Sequence, residues 1–284
     1  MTRSLRLTPR LLLLAGVALL SLLLQETPPL GAFPRGSDEG WAEAPPKAGG
    51  QSLPYSSSMK SSRYVTMRDG VRLAVDVYLP KELNAGEKIP AIFMQTRYAR
   101  ALHGRWPFRR LVKGRFAPLI EAFARQGYAW VFVDARGSGA SFGTRGHPYS
   151  EAEIADAQEL LDWIVAQPWS DGKVGAWGSS YTGGSALRLA ATGHEALKAI
   201  MPRFAMFDMY ADAVFPGGLQ LRWLTDAWGR LARALDSNRP QDYVGFRAKL
   251  ATKGIAPVDE DPDKRLLTQA IAEHAANGDI ATLV

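Results

Sequence analysis

One stretch, residues 173–184, constrains the fold of this chain more than any other. It reads KVGAWGSSYTGG. Its first part predicts a short buried strand over residues 173–177, and an amphipathic helix is predicted over residues 185–191. A serine on so tight a strand-to-helix turn is lifted clear of the sheet, because small neighbours let the backbone fold back without side-chain collision. We therefore predict a nucleophile elbow with Ser180 as the exposed hydroxyl.

The elbow departs from the usual G-x-S-x-G pattern at one position. Thr182 stands where the second glycine is expected, and Gly183 follows one residue later. A short Gly/Ser-rich turn would also fit a helix N-cap in an ordinary loop. The strand before it and the helix after it favour the elbow, in which the backbone N–H of Tyr181 would point at a developing oxyanion.

Composition excludes several classes of function. The chain has 284 residues, no cysteine and a formal net charge of +6, with basic and acidic residues interspersed over most of its length. Disulfides and thiolate metal sites are therefore excluded, and nothing calls for a nucleic-acid partner. No two histidines are close enough in sequence to suggest a ligand pair, so we predict neither a metal nor a cofactor. A local basic loop at residues 103–115 is interpreted as a solvated face.

The amino terminus has the layout of a signal peptide. Three arginines and no acidic residue occupy residues 1–10, and a leucine-rich apolar run follows over residues 11–24. That run is shorter than the roughly 20 residues that span a bilayer. We predict a signal peptide at residues 1–32 and an exported protein, periplasmic or secreted. The alternative is an uncleaved segment that anchors the chain in the membrane.

The remaining chain predicts an α/β fold with a mostly parallel sheet behind an N-terminal antiparallel hairpin. Residues 33–62 are interpreted as a linker or loose lead-in, 63–203 as the core and 204–284 as a helical cap segment. Core strands are predicted at 64–67, 71–78, 90–96, 129–134, 173–177 and 197–201, and helices at 119–126 and 151–167. Cap helices are predicted at 219–235, 242–251 and 264–276.

Two further strand ends could contribute to a site, since ligands bind at the carboxyl ends of strands in open α/β sheets. Tyr98 follows the strand at 90–96 and is a candidate oxyanion donor, by its hydroxyl or its backbone; simple packing at the loop base is the alternative.

The turn DARGSGAS at 134–141 lacks the third glycine of a dinucleotide fingerprint. It is interpreted as structural, with Asp134 and Arg136 bonding to neighbouring backbone.

Taken together, these residues resemble the CocE/NonD hydrolase family, which includes cocaine esterase, α-amino-acid ester hydrolases and X-Pro dipeptidyl-peptidases. The resemblance covers about residues 60–235 and rests on MRDGVRL at 67–73, TRY at 96–98, DARGSGASFG at 134–143, QPWSDGKVG at 167–175 and GSSYTG at 178–183. The family's elbow reads G-x-S-Y-x-G, as here. The resemblance implies an α/β-hydrolase fold with Ser180 as the acylated nucleophile. It also implies that the Tyr98 phenol donates to the oxyanion beside the N–H of Tyr181.

The same resemblance exposes a gap. Family members hold the triad acid and histidine on later strands, after the cap, and usually add a jelly-roll β domain. None of this chain's histidines, His103, His147, His194 and His274, matches the family's late histidine, and each is expected on the surface or in a loop. We therefore expect a hydrolase truncated before its triad Asp and His, with reduced or no activity alone.

Aromatic residues at the predicted cap entrance could line a substrate site. Phe207, Tyr210 and Trp223 would suit an apolar or aromatic acyl group, although cap helices also need buried aromatics. In the family that the chain resembles, amino-acid ester hydrolases bind the substrate ammonium with a carboxylate cluster; Asp208 and Asp212 lie nearby but do not match that cluster position by position. The predicted function is a serine hydrolase that cleaves ester or amide bonds, acyl or X-Pro-type peptide, through an acyl-enzyme. A catalytically inactive binding or scaffold fragment is the alternative, and the oligomeric state stays open.

Overall fold

The computed structural model describes residues 53–106 and 116–282. The predicted signal peptide, most of the lead-in and residues 107–115 of the basic loop lie outside these ranges. In chain order the elements are β1 (Ser58–Thr66), β2 (Arg72–Pro80), β3 (Ile89–Thr96), β4 (Leu102–Gly104), α1 (Ala117–Arg125), β5 (Ala129–Asp134), α2 (Glu151–Val165), β6 (Ser170–Ser179), α3 (Tyr181–Ala190), β7 (Leu197–Arg203), α4 (Arg222–Asp236), α5 (Gln241–Val244), α6 (Phe246–Ala251), β8 (Thr252–Ile255) and α7 (Arg265–Glu273).

Six of the described strands form one sheet in the order β1-β2-β5-β3-β6-β7. The pairs β1/β2 and β2/β5 are antiparallel, and the pairs among β5, β3, β6 and β7 are parallel. Strand β3 lies between β5 and β6, so the carboxyl ends of these three strands meet at one edge of the sheet. The predicted α/β fold, a mostly parallel sheet behind an antiparallel hairpin, is confirmed.

Apolar layers cover both faces of the sheet. Every residue of β5, AWVFVD, is buried, as expected for a strand with helices on both sides. On one face Leu160 and Ile164 of α2 and Leu189 of α3 pack with alternate strand residues. On the other face Ile120 of α1 packs with a second set that includes Trp130. Helices α2 and α3 therefore share one layer, which sets up the contacts of the candidate site.

Strand β1 starts earlier than the sequence predicts. Strand β1 begins at Ser58, which is paired with Pro80, so residues 58–62 belong to the hairpin and not to the predicted lead-in. Apart from Met59 these residues are polar, and they show no apolar alternation. Tertiary bonds hold them instead: the Ser58 hydroxyl donates to Glu121 of α1 at 2.8 Å, and the Ser62 hydroxyl donates to Asp76 at 2.6 Å.

The predicted cap segment contains a strand that sequence reasoning did not find. Strand β8 pairs antiparallel with β4 in a separate two-stranded sheet. The single helix predicted at 242–251 is two helices, because Gly245 between them has φ 87°, a left-handed conformation that interrupts a helix. Within residues 53–106 and 116–282, no helix is both long and apolar enough to cross a bilayer.

Candidate active site

Ser180 lies at the junction of β6 and α3, at the carboxyl edge of the sheet. Its backbone has φ 59° and ψ −122°, and a positive φ is uncommon for a residue with a Cβ atom. The Ser180 N–H donates to the carbonyl of Arg203 at the end of β7 at 3.0 Å. The residue is therefore outside the regular helix, on a strained strand-to-helix turn of the kind that presents a nucleophile.

The glycines of the turn are explained by close backbone contacts. A Cβ atom on Gly178 would lie 2.1 Å from the carbonyl carbon of Thr182, and one on Gly183 would lie 2.5 Å from the carbonyl oxygen of Arg203. Position 182 carries a side chain, and its hydroxyl accepts a hydrogen bond from the Ser179 N–H at 2.7 Å. Glycine is thus required at 183 and not at 182, which accounts for the departure from G-x-S-x-G.

Tyr98 lies just after β3 and contacts the residue that follows the elbow serine. The rings of Tyr98 and Tyr181 meet edge to face, with centroids 5.7 Å apart and an interplanar angle of 72°. Burial raises the pKa of both phenols, so both hydroxyls stay protonated at neutral pH and can donate a hydrogen bond. The structure brings together Tyr98 and the elbow, two features that the sequence placed on separate strand ends.

The glycine-rich turn after β5 is held by its own side chains. The Asp134 carboxylate accepts hydrogen bonds from the N–H groups of Arg100 and Ala140, and a Cβ atom on Gly139 would lie 2.1 Å from that carboxylate. The prediction for Arg136 is wrong in one respect. Its guanidinium pairs with carboxylates and not with backbone: it bonds to Asp156 from two nitrogens and to Asp69 from a third.

The predicted substrate-contacting aromatics are exposed. Phe207 is 86% exposed, Tyr210 61% and Trp223 60%. They belong to the segment that follows β7, the strand whose last carbonyl binds the Ser180 N–H. The Tyr210 ring stacks on Phe215 with centroids 4.6 Å apart. Their contact with a substrate stays a prediction.

Two nearby carboxylates satisfy local backbone groups. Asp208 accepts hydrogen bonds from the N–H groups of Tyr210 and Ala211. Asp212 accepts hydrogen bonds from the N–H groups of Phe207 and Asp208. Both side chains therefore cap the turn that follows β7. Across the residues that the structure describes, no group of three or more side chains is arranged to hold a metal ion.

The expectation that every histidine lies on the surface or in a loop is wrong for His274. His274 is buried, and its Nε2 atom lies 2.7 Å from the carbonyl oxygen of Ser141. His103 belongs to strand β4. His147 is exposed, with Nδ1 3.1 Å from the carbonyl oxygen of Pro148. The Nε2 atom of His194 lies 3.1 Å from the Oδ1 atom of Asp162.

Sequence reasoning missed the buried polar residues beneath the elbow. The Tyr181 hydroxyl donates to the Glu153 carboxylate at 2.7 Å, and the buried Arg97 guanidinium lies 5.9 Å from the Tyr181 ring. The pattern S-x-x-E at residues 150–153 is typical of a helix N-terminus. It predicts where Glu153 stands on α2 but not that its carboxylate reaches the elbow.

The sheet order and the strained serine turn define the chain as an α/β hydrolase in fold. Residues 69–282 match the family described as X-Pro dipeptidyl-peptidase (S15 family), and the chain belongs to that family. The resemblance to CocE/NonD hydrolases is also confirmed. A crystal structure of a CocE/NonD family hydrolase from Staphylococcus aureus is similar, with a TM-score of 0.55 at 26% identity over 66% of this chain and 34% of that one.

Curated relatives carry names of serine hydrolases. The chain is 48% identical over 252 residues to a Mycobacterium bovis protein named as a putative serine esterase. The aligned part covers 86% of this chain and 40% of that protein. It is 36% identical over 195 residues to the cocaine esterase of a Rhodococcus species, over 66% of this chain and 32% of the esterase. The chain thus spans 40% or less of the length of these relatives.

Proposed function

We propose that this chain carries the nucleophile of a serine hydrolase acting on ester or amide bonds. The Ser180 hydroxyl attacks the carbonyl carbon of the substrate, an Oγ–acyl bond forms, and the C–O or C–N bond to the leaving group breaks. The hydroxyl proton goes to the departing alcohol or amine. Water then hydrolyses the acyl-enzyme, releasing the acid and restoring the serine.

The positive φ of Ser180 at the end of β6 is the observation that carries this proposal. Such strain costs about 1–3 kcal/mol and is retained mainly where function needs it. The Tyr181 N–H follows directly and, as the first residue of α3, has no partner inside the helix. Together with the Tyr98 phenol it would stabilise the tetrahedral oxyanion.

Reduced activity of the chain alone is part of the proposal. A serine hydroxyl without a base is a poor nucleophile. The rings of His147, His194 and His274 each bond to groups other than Ser180. In a well-studied serine protease, loss of the triad histidine lowers kcat by about 10⁶-fold, and oxyanion stabilisation and binding provide what remains.

Labelling with a fluorophosphonate probe tests the nucleophile. We expect mass spectrometry to find the adduct on Ser180 and not on other serines, with a rate well below that of intact cocaine esterase. Ser180→Ala should abolish the adduct. Tyr98→Phe should lower the rate by about 10- to 10³-fold if its hydroxyl donates to the oxyanion. Labelling spread over several serines would favour the alternative, an inactive binding or scaffold fragment of the same fold.

We propose small esters, amides or short peptides as substrates, with the apolar acyl part against Phe207, Tyr210 and Trp223. These aromatics are exposed and follow β7, the strand whose last carbonyl accepts from the Ser180 N–H, so they offer apolar area to such a group. A phosphonate with a benzyl substituent should then label faster than its methyl analogue. Trp223→Ala should reduce this preference, and an unchanged preference in that variant would exclude Trp223 from the site.

Export is proposed from residues 1–32 alone, whose charge and length fit a signal peptide. Expression of the full chain in a bacterium, followed by fractionation and N-terminal sequencing, tests this. Cleavage near residue 32 with recovery outside the cytoplasm is expected. An uncleaved chain in the membrane fraction would support the anchored alternative.

A further inference from the structure

The backbone and the side chain of Tyr181 lie in different environments. Its backbone N–H is next to Ser180 at the start of α3, whereas its side chain is among the most buried in the protein, with 1% of its surface exposed. The far end of that side chain is fixed: its hydroxyl lies 2.7 and 2.9 Å from the two carboxylate oxygens of Glu153. Any shift of this side chain would therefore be transmitted to the peptide group that follows the elbow serine.

Glu153 is itself held by the helix that carries it. It is 2% exposed and occupies the first turn of α2, where its N–H donates to the Ser150 hydroxyl at 3.3 Å. Its carboxylate also accepts a hydrogen bond from the N–H of Tyr149 at 3.2 Å. A buried carboxyl group is costly unless it is hydrogen-bonded, so the Tyr181 hydroxyl and the Glu153 carboxylate satisfy one another.

Tyr149 holds Tyr181 at a second and a third point. The two rings stack with centroids 4.4 Å apart at 18°, and the Tyr149 hydroxyl donates to the Tyr181 carbonyl at 3.2 Å. This approach needs glycine at 184, because a Cβ atom there would lie 2.5 Å from the Tyr149 hydroxyl. Tyr149 also has φ 58°, a strained value that persists only where the surroundings fix it.

We propose that Glu153 and Tyr149 are positioning residues that fix the Tyr181 peptide so that its N–H stays aimed at the oxyanion formed on Ser180. The inference rests on the proposed function. The Glu153 carboxylate, which lies on α2, holds the oxyanion-binding N–H in position through the Tyr181 side chain. Neither residue needs to touch the substrate, because both act through the contacts with Tyr181 described above.

The contribution of the hydrogen bond between Glu153 and Tyr181 is tested in the full chain. The maximal rate of fluorophosphonate labelling and the half-saturating probe concentration are measured for wild type, Tyr181→Phe, Glu153→Leu, Glu153→Gln and the double variant Glu153→Leu/Tyr181→Phe. We expect Tyr181→Phe and Glu153→Leu each to lower the maximal rate by about 10- to 100-fold, the cost of misplacing a catalytic group by about 1 Å. The half-saturating concentration should stay the same, since probe binding is not changed.

Two comparisons separate positioning from general damage. The double variant should be no slower than the single ones, because both changes remove one bond. Glu153→Gln should recover most of the rate, since its amide oxygen can still accept from the Tyr181 hydroxyl. Glu159→Leu is the matched control on the same helix, because Glu159 pairs with Arg68 at the surface, and it should label like wild type. Tyr149→Phe removes only one hydroxyl and provides an independent variant should Glu153→Leu fail to fold.

NMR relaxation of the Tyr181 amide gives a readout that does not require reactivity. Its order parameter should be that of rigid backbone, about 0.85, in wild type and lower in Tyr181→Phe and Glu153→Leu. Wild-type labelling of Ser180 with unchanged rates in these two variants would overturn the inference alone, as would unchanged order parameters. Absence of labelling in the wild type would overturn the proposed function, and with it the catalytic purpose assigned to Glu153.

Discussion

The hydroxyl of Thr182 bridges the two ends of the turn that carries Ser180. It accepts a hydrogen bond from the Ser179 N–H at 2.7 Å and donates one to the Ser179 carbonyl at 3.0 Å. The position at which the sequence departs from the common elbow pattern is therefore a structural part of the elbow. The strained φ of Ser180 lies inside the loop that these two bonds close.

Thr182→Val tests this bridge, because valine has nearly the same shape and lacks the hydroxyl. Thr182 is buried, so the Ser179 N–H would lose its partner, and we expect the free energy of unfolding to fall by about 1–3 kcal/mol. Urea unfolding measures the loss, and fluorophosphonate labelling of Ser180 should slow with it. Thr182→Ser keeps the hydroxyl and should retain both properties; equal losses in the two variants would argue against the bridge.

Gly183→Ala should disturb the elbow through a clash with backbone. The added Cβ atom would lie 2.5 Å from the carbonyl oxygen of Arg203, which is backbone and cannot rotate away. We expect a loss of about 1–3 kcal/mol in the free energy of unfolding and slower labelling of Ser180. Gly146→Ala is the control, since nothing lies within 4 Å of its added Cβ atom. A fully stable, normally labelled Gly183→Ala protein would contradict the turn geometry.

Asp156 is predicted to be a major determinant of stability. Its carboxylate has no exposed surface and pairs with two nitrogens of Arg136. Asp156→Ala would leave the Arg136 guanidinium without this partner, and we expect a loss of about 3–5 kcal/mol, the usual cost of breaking a buried ion pair. Thermal and urea unfolding report this loss. Asp242→Asn, which breaks the exposed pair with Arg239, should change stability by less than about 1 kcal/mol.

Alkaline pH should unfold the protein through its buried phenols. Burial raises the pKa of five of the nine tyrosines above the ordinary value of 10.0: Tyr64, Tyr78, Tyr98, Tyr149 and Tyr181. The hydrogen bond to Glu87 raises the pKa of Tyr55 to about 12.

The direction of this pH dependence follows from the linkage between proton binding and folding. A folded-state pKa above the unfolded one contributes stability that is complete below pH 10 and is lost as the pH rises toward the folded pKa. The phenolate absorbance should therefore rise together with the loss of circular dichroism above pH 10. Reversible titration of all nine tyrosines near pH 10 in protein that stays folded would show that these phenols are not buried.

Local sequence determined the six strands of the main sheet and their order along the chain. Alternation and buried apolar runs place β3 and β5 within a residue of where the structure has them, because period and burial are properties of neighbouring residues. The sharp turn at Ser180 was also predictable, since the glycines and the small serine that it needs are adjacent in the chain. The type of each of these strands and the sharp turn at Ser180 were decided within about ten residues.

Contacts between distant residues were decided only by the tertiary structure. Glu153 and Tyr181 are 28 residues apart, and they meet because α2 and α3 pack on the same face of the sheet. Strand β8 pairs with β4, and β1 is extended by bonds from polar side chains. A buried polar pair or a non-local strand pairing leaves no periodic pattern in either partner, since each partner is explained only by the residue that folding brings beside it.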